Sequence, residues 1–406
     1  MRCIVNGMWK ELNGYGKGAA METLRIGIVG VGYIGNKHIE TIRRIPHTRI
    51  MGVVDADYER ACRMARDLGI PCVYTTVDEM LASDQIDVIH NCTPTSKHFE
   101  VNKKVICAGK SLYCEKPLTM NLEEAAELMA LLEKNPVPNA VNLNYRMNAL
   151  VQEMRTRVQD GESGRLFMVT GSYVQDWMMY QDDYDWRLDL EMGGRSRALS
   201  DIGSHLFDLC QFVTGQHITA VNAKLMIVHP KRLHYEKDGG TFSKEKGRFL
   251  GEVEVQNEDV ANIMIRLSGG AEGMMQVSQI TAGHKNDLRL RLDLEKCSYE
   301  WKQENGDMLY IGYRGRPNEI LHREADMLSE QVRGFSRLPA GHPEGWNDVL
   351  YNAISAFYRS INEKNDGQTV PYATIEDGVS VMKVIDACMK SDREMRWVDV
   401  EMGACL

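Results

Sequence analysis

Residues 24–146 alternate short apolar runs with patterns of helical period. Continuous apolar runs at 24–29, 49–54 and 86–91 predict strands that are buried on both faces, as in a parallel sheet. Amphipathic patterns of three to four turns separate these runs, and the first of them ends before Pro46. The alternation of strand and helix predicts a doubly wound parallel sheet, which places the chain in the α/β class.

Beyond about residue 150 the hydrophobic pattern changes to strict alternation. Runs at 261–267, 288–294 and 297–301 put every second residue on one face, which predicts antiparallel strands with one solvated face. The second domain is therefore expected to be α+β with an open, mainly antiparallel sheet. Two helical patterns at about 346–390 are expected to pack back on the first domain.

These patterns divide the chain into three segments. Residues 1–20 are expected to be a disordered or spurious N-terminal extension, with Met21 as the initiator; 21–146 form the first domain and 147–406 the second. The charged, glycine-bearing segment 231–251 is predicted to be a solvated loop. A lid, or an arm onto a neighbouring subunit, is the alternative.

Composition excludes several classes of protein. A formal net charge of −9 without a basic stripe argues against a nucleic-acid partner. Ten cysteines at irregular spacing form no zinc pattern, so we expect no metal site and read them as reduced thiols of a cytoplasmic protein. No apolar run approaches the ~20 residues of a membrane-spanning helix, so no membrane partner is expected.

The first predicted strand leads directly into Gly30-Val31-Gly32-Tyr33-Ile34-Gly35. Glycines at this spacing, between a strand and a helix, allow a tight turn and a close approach of backbone N–H groups to a pyrophosphate. Asp55 ends the next strand, at the distance where a carboxylate reaches a ribose diol. An ordinary glycine-rich turn is the alternative. The order of the elements favours a Rossmann domain that binds NAD, and Ala56-Asp57 adds no cation for NADP.

Lys116, Asp201 and His205 are the candidate catalytic residues. Lys116 follows a predicted parallel strand, and Asp201 and His205 lie four residues apart in a helical pattern, on one face. Oxidation of an alcohol requires a base, and a histidine with an ordinary pKa near 6.5 suits that role. Asp201 is expected to orient the imidazole, and Lys116 to stabilise negative charge on oxygen. A surface lysine and a local helix pair are the alternatives.

These motifs resemble the Gfo/Idh/MocA oxidoreductase family from Leu24 to the C-terminus. The marks are the glycine motif, Thr93-Pro94 with His98, Glu115-Lys116-Pro117, Asn144-Tyr145-Arg146 and Asp201-x-x-x-His205. The resemblance implies catalytic roles for Lys116, Asp201 and His205, and oligomerisation through the second sheet as a dimer or tetramer. It implies NAD contacts from Gly30, Gly32, Tyr33, Ile34, Gly35, Asp55, Thr93, Pro94, His98, Glu115 and Lys116.

The segment Gln175-Asp176-Trp177 with Trp186-Arg187 is most similar to the branch that contains levoglucosan dehydrogenase and glycoside 3-dehydrogenases. Candidate substrate residues are Tyr145, Arg146, Asp176, Trp177, Arg187 and Arg197. Trp177 could equally belong to the core, and Arg195 and Arg197 either face water or bind an anionic or larger substrate. We predict NAD-dependent oxidation of a ring hydroxyl of a sugar, anhydrosugar or glycoside. Inositol or polyol oxidation, redox-assisted glycoside cleavage and a non-enzymatic dinucleotide sensor are the alternatives.

Overall fold

The computed structural model describes residues 22–236, 247–363 and 370–401. The first sheet has six strands, all parallel, in the order β3-β2-β1-β4-β5-β6. The strands are β1 (Leu24–Val29), β2 (Thr48–Val54), β3 (Cys72–Val73), β4 (Val88–Asn91), β5 (Ser111–Cys114) and β6 (Asn139–Val141). This order is that of a doubly wound dinucleotide-binding fold, so the predicted parallel sheet is confirmed. The expectation for residues 1–20 lies outside the described residues.

Helices connect these strands and cover the sheet. They are α1 (Tyr33–Ile42), α2 (Tyr58–Leu68), α3 (Val77–Leu81), α4 (His98–Cys107) and α5 (Leu122–Lys134). Local sequence sets their ends: the Asp57 and Asn121 side chains accept backbone N–H groups at the starts of α2 and α5, and Gly69 ends α2 in the left-handed region.

The second sheet has nine strands in the order β16-β15-β14-β13-β7-β12-β11-β8-β17. Its strands are β7 (Leu166–Val174), β8 (Ile218–Met226), β11 (Val260–Leu267), β12 (Glu272–Ser278), β13 (Asp287–Leu294), β14 (Ser298–Lys302), β15 (Met308–Gly312), β16 (Glu319–His322) and β17 (Val398–Asp399), and β9 (Lys231–Tyr235) and β10 (Phe249–Glu254) form a separate hairpin. Only β7 and β12 pair in parallel among the described strands of this sheet. The predicted open, mainly antiparallel sheet is therefore confirmed.

The remaining helices are α6 (Ala149–Gln159), α7 (Leu190–Gly193), α8 (Ser204–Thr214), α9 (Trp346–Asn362) and α10 (Ile375–Glu394). Helix α8 packs on β7 and β13 and buries Leu206 and Phe207 completely. A π-helical turn, Leu199–Gly203, precedes α8 directly. Among the described helices, none combines the length and the apolar character that a bilayer crossing requires.

The two C-terminal helices have different surroundings. Helix α9 contacts α1, and its Leu350 and Phe357 share a core with Ile26 and Ile28 of β1. Helix α10 lies against α5 and also against β8, so it contacts elements on both sides of the molecule. The sequence analysis placed both helices on the first domain; α10 in addition contacts β8 of the second sheet.

The β9–β10 hairpin lies where the sequence predicted a loop at 231–251; residues 237–246 are outside the described ranges. Arg232 of β9 is buried and donates to the carbonyls of Met178 at 2.9 Å, Tyr180 at 2.7 Å and Asp183 at 3.0 Å. It also pairs with Asp259. The hairpin therefore holds the segment 178–183 through its main chain.

Candidate active site

A cleft of about 2100 Å³ lies between the carboxyl ends of the first sheet and one end of the second. Its walls include Gly30, Asp55 and Lys116, which follow strands of the first sheet. Asp201 of the π-helical turn and His205 of α8 also border it. The carboxyl edge of a parallel sheet is where such folds bind ligands. The cleft thus brings together the dinucleotide motif and all three candidate catalytic residues.

The glycine-rich turn forms one end of the cleft. Gly30 has φ +87°, and a Cβ there would lie 2.7 Å from the Cys92 carbonyl oxygen. A Cβ on Gly35 would lie 2.0 Å from the Gly30 oxygen, so α1 can approach the strand only without a side chain there. Gly32 borders the cleft, and a Cβ there would have no atom within 4 Å. This open position leaves room for a phosphate group beside the backbone.

Asp55 is more deeply engaged than the sequence suggested. Its carboxylate accepts Val31 N at 2.7 Å and Asp57 N at 2.8 Å, which ties β2 to the glycine-rich turn. Arg60 of α2 forms an ion pair with it at 2.6 Å and borders the cleft. The sequence analysis considered only Ala56-Asp57 beside Asp55; the cation that lies there is Arg60, because α2 turns it back over the strand end.

The other proposed cofactor residues all border the cleft: Tyr33, Ile34, Thr93, Pro94, His98 and Glu115. His98 is buried, with Nδ1 2.7 Å from the Pro117 carbonyl oxygen and Nε2 2.9 Å from the Thr93 carbonyl oxygen. Its ring therefore ties together the loops after β4 and β5.

Lys116 and Asp201 form the central ion pair of the site. Lys116 Nζ lies 2.9 Å from Asp201 Oδ1 and 2.7 Å from the Asp201 carbonyl oxygen. Arg187 Nε lies 3.3 Å from Oδ1, and Gln279 donates to Oδ2 at 2.8 Å. Burial opposes ionisation, yet the charges of Arg187 and Lys116 hold the pKa of Asp201 far below its usual value.

His205 borders the cleft without a hydrogen bond to Asp201 in the described structure. Its Nδ1 is buried and has no partner among the described residues, and its ring stands 4.9 Å, edge to face, from Tyr145. Burial and then the charge of Lys116 lower the pKa of His205 to about 3. The expectations of an ordinary histidine pKa and of an imidazole oriented by Asp201 were therefore wrong. Asp201 lies in the π-helical turn and is engaged by cations.

A hydrogen-bonded group of polar side chains forms the cleft wall beside His205. Asn286 donates to the Tyr145 hydroxyl at 2.8 Å and accepts from Tyr173 at 2.5 Å and from Gln175 at 3.0 Å. Trp177 Nε1 continues this group by donating to Gln175 at 2.8 Å. Tyr145 and Trp177 thus both border the cleft through this group.

Of the charged residues proposed for the substrate, Asp176 and Arg187 border the cleft. Asp176 is paired with Lys285 at 2.5 Å. Arg146 does not reach the cleft: it is buried, pairs with Asp208 and Asp377, and joins α8 to α10. Its proposal as a substrate residue was therefore wrong.

Arg197 borders the cleft but is buried and pairs with Asp259, the carboxylate that also holds Arg232. The presence of Arg197 at the cleft therefore does not imply an anionic substrate. Arg195, the other guanidinium, is exposed.

Four residues of the site were absent from the sequence interpretation: Arg60, Tyr173, Gln279 and Asn286. Arg60 and Tyr173 lie next to motifs that the sequence did show. A cation close to Asp55 could have indicated Arg60, and an aromatic residue at the end of β7 could have indicated Tyr173. Gln279 and Asn286 follow β12 and precede β13, and nothing in their local sequence marks them.

One group outside this set has the composition of a metal site. Ligand atoms of His284, Asp287 and Glu304 lie within 4.8 Å of one another. Asp287, however, pairs with Arg289 and His284, and Glu304 accepts the backbone N–H of Lys285 at 2.9 Å. These contacts hold the loop before β13, and we propose no metal here.

Two family models match the chain. Residues 24–143 match "Oxidoreductase family, NAD-binding Rossmann fold", and 151–300 match "GFO/IDH/MocA C-terminal domain". Levoglucosan dehydrogenase of Pseudarthrobacter phenanthrenivorans is 25% identical over 94% of this chain and 99% of its own length. Inositol 2-dehydrogenase of Rhizobium meliloti is 28% identical over 93% of this chain and 99% of its own length. A structure of levoglucosan dehydrogenase with NADH and L-sorbose has a TM-score of 0.84 at 23% identity, over 94% of this chain and 99% of that chain, which shows the shared fold.

The two glycines of the turn give a matched pair of variants. Gly35→Ala should lower the Tm by about 5 °C or more, because the new Cβ meets the Gly30 oxygen. Gly32→Ala should keep the wild-type Tm and weaken NAD binding about tenfold or more. Differential scanning fluorimetry and calorimetric titration measure the two effects. A wild-type Tm for Gly35→Ala would contradict the packing argument.

The lowered pKa of His205 can be measured by NMR in the protein without cofactor. Because its pKa is about 3, the ring should remain neutral from pH 8 down to pH 5. Lys116→Met removes a nearby charge and should raise that pKa towards the ordinary ~6.5. Lys97→Met, which removes an exposed charge from the cleft rim, is the control and should leave it unchanged. Titration of the wild-type ring near pH 6.5 would refute the assignment.

Proposed function

Since this chain belongs to the Gfo/Idh/MocA family of NAD-binding oxidoreductases, we propose that it oxidises a ring secondary hydroxyl of a sugar, anhydrosugar or glycoside to the keto-sugar. The observation that carries the proposal is the meeting of Lys116, Asp201 and His205 at one cleft with the glycine-rich turn. A dinucleotide sensor without turnover has no use for such a set, which makes that alternative the weakest.

The proposed roles follow from the charges and contacts. His205 is neutral, and its Nδ1 is shielded, so Nε2 is the nitrogen that can take the hydroxyl proton. Lys116 is held by two oxygens of Asp201 and can donate to the substrate oxygen as negative charge grows on it. Asp201 acts through Lys116 and Arg187, keeping both cations in place.

The residues of the turn fit NAD. Gly32 leaves open space beside the backbone at the N-terminus of α1, where the helix dipole favours an anionic group. NAD, when bound, accepts the hydride from the carbinol carbon. We propose that Gly30, Gly32, Gly35 and the Asp55–Arg60 pair hold its pyrophosphate and adenosine ribose. The levoglucosan dehydrogenase structures with NADH support this choice.

The substrate class is a proposal from the cleft wall. Trp177 can offer an apolar face to a sugar ring, while Tyr145, Asp176 and Arg187 can bind its hydroxyls. Similarity to inositol 2-dehydrogenase keeps cyclic polyols as a second candidate. A third is cleavage of a glycosidic bond through a transient 3-keto intermediate with the cofactor recycled in place.

A substrate screen tests the proposal. Sugars, anhydrosugars, glycosides and inositols are incubated with the protein and NAD, and NADH formation is followed by absorbance. Net NADH with a glycoside or anhydrosugar supports the proposed reaction, and net NADH with inositols alone favours the second candidate. Release of the aglycone without net NADH favours redox-assisted cleavage. No turnover of any of these classes would overturn the proposal.

Substitutions at the catalytic pair give the kinetic test. Lys116→Met and His205→Ala should each lower kcat by roughly a hundredfold or more, because both residues act in the transition state. The Kd for NAD should change little. Lys97→Met at the cleft rim is the matched control and should keep the wild-type kcat. Near-normal kcat in His205→Ala would remove it from the mechanism, and Tyr145 would become the next candidate.

We also propose that the exposed face of the second sheet joins copies of the chain into a dimer or tetramer. Met264 and Met274 are cross-strand partners near its centre and are 47% and 62% exposed, and exposed Met168 of the adjoining β7 pairs with Glu272, two residues before Met274. An apolar patch on an open sheet is typical of a subunit interface. The eight described cysteines are free thiols, which fits the proposed cytoplasmic location.

Light scattering after gel filtration tests the interface. Met264→Glu with Met274→Glu should convert the oligomer to a smaller species, because paired charges would be buried at the contact. Met327→Glu, at an equally exposed position outside the sheet, should leave the mass unchanged. A monomeric wild-type protein would refute the proposal.

A further inference from the structure

A buried chain of hydrogen bonds runs from the cleft through the first sheet to α9. Glu115 Oε1 lies 2.9 Å from His38 Nε2, and His38 Nδ1 lies 2.8 Å from His90 Nδ1. His90 Nε2 lies 2.7 Å from the Tyr358 hydroxyl. Both imidazoles are fully buried, and Tyr358 is 2% exposed. Glu115, next to Lys116, is the only one of the four that borders the cleft in the described structure.

The hydrogens of this chain can be placed from its far end. The Tyr358 hydroxyl has His90 Nε2 as its single partner among the described residues, so it donates there. His90 Nε2 is then bare and its hydrogen is on Nδ1, since burial lowers the pKa of His90 far below the ordinary value. His38 Nδ1 must accept that hydrogen, which leaves His38 neutral with its hydrogen on Nε2. His38 therefore donates to Glu115.

The cleft end of the chain favours a carboxylate. Glu115 also accepts Asn142 Nδ2 at 2.6 Å and Lys116 N at 3.2 Å, so three donors converge on it. Tyr113 donates to Asn142 Oδ1 at 2.8 Å and thereby fixes the orientation of that amide. Burial opposes ionisation, but the hydrogen bond from His38 and nearby charges lower the pKa of Glu115.

We propose that Tyr358, through His90, acts as a positioning residue that holds the Glu115–His38 pair at one negative charge beside Lys116. The oxidised nicotinamide is cationic and the reduced one is neutral, so this charge favours binding of NAD over NADH. The inference rests on NAD as the cofactor and is independent of which substrate is oxidised.

The reason is whether the Glu115–His38 pair can accept a further proton. A proton added to His38 would sit on Nδ1 and point at His90 Nδ1, which already carries hydrogen because of Tyr358. Without the Tyr358 hydroxyl, the hydrogen of His90 can lie on Nε2. His90 Nδ1 can then accept a hydrogen bond from His38 Nδ1. The pair can then take up a proton and become neutral.

Other groups around the pair do not gain or lose charge in the same way. The titratable and charged groups that face it are Lys116, Arg187, His98, His205, Cys92, Cys114 and Tyr113. Burial raises the pKa of the two thiols and of Tyr113, and it lowers the pKa of His98 and, to about 3, that of His205. A pH effect on cofactor preference that is present in Tyr358→Phe and absent from the wild type therefore reports on the pair.

The test measures the ratio Kd(NAD)/Kd(NADH) of the full chain by calorimetry at pH 6 and pH 8.5. The wild-type ratio should be equal at both values. Tyr358→Phe should raise it at least about threefold at pH 6 and by less at pH 8.5, because a proton on the pair becomes less favourable as the pH rises. Tyr372→Phe, which removes a buried hydroxyl bonded to Ser360 at 2.7 Å, is the control and should match the wild type.

A second variant separates charge from structural damage. Glutamine at position 38 can donate to Glu115 and accept from His90, and it cannot take up a proton. The double variant Tyr358→Phe/His38→Gln should therefore have the wild-type ratio at both pH values. An unchanged ratio in Tyr358→Phe, an equal change in Tyr372→Phe, or no recovery in the double variant would each overturn the inference.

NMR of the wild-type protein without cofactor gives an independent measurement. The ¹⁵N shifts should show hydrogen on Nδ1 of His90 and on Nε2 of His38, and the opposite tautomers would overturn the inference. The outcome does not depend on the proposed reaction, because absence of turnover with every sugar would still leave the tautomers and both affinities measurable.

Discussion

The ion pair between Lys116 and Asp201 is the contact on which the site depends. It joins a strand end of the first sheet to the turn that starts α8, so neither domain alone contains the complete set. A half-buried ammonium group is stable only with partners that compensate for lost water, and Asp201 supplies two oxygens. The position of α8, and with it His205, is thereby coupled to the position of β5.

The same ion pair contributes to keeping the His205 ring neutral at neutral pH. Lys116 contributes a positive charge close to an imidazole that is already buried, and both effects favour the neutral ring. Asp201 is engaged by Lys116, Arg187 and Gln279, so its charge does not counteract that effect through a hydrogen bond to the ring. The charge of Lys116 thus links the protonation state of His205 to the same contact that holds Asp201.

The sequence predicted those features that local rules determine. Periodicity distinguished the parallel sheet from the antiparallel one, and the glycine spacing located the turn whose close contacts require Gly30 and Gly35. It failed where distant segments decide the outcome. In the sequence, Arg146 and Arg197 both looked like candidate substrate residues. Only the fold shows that both are buried and form ion pairs with Asp208 and Asp259. Burial also decides the pKa of His205, which no spacing of residues reveals.

The anchoring of the segment 178–183 has a consequence for how this enzyme can change during evolution. Arg232 binds three main-chain carbonyls of that segment, and main-chain groups are the same for every amino acid. Replacement of Tyr180 or its neighbours would leave the anchor intact. The cleft wall can therefore acquire new side chains, and so new substrates, without refolding the loop that carries them.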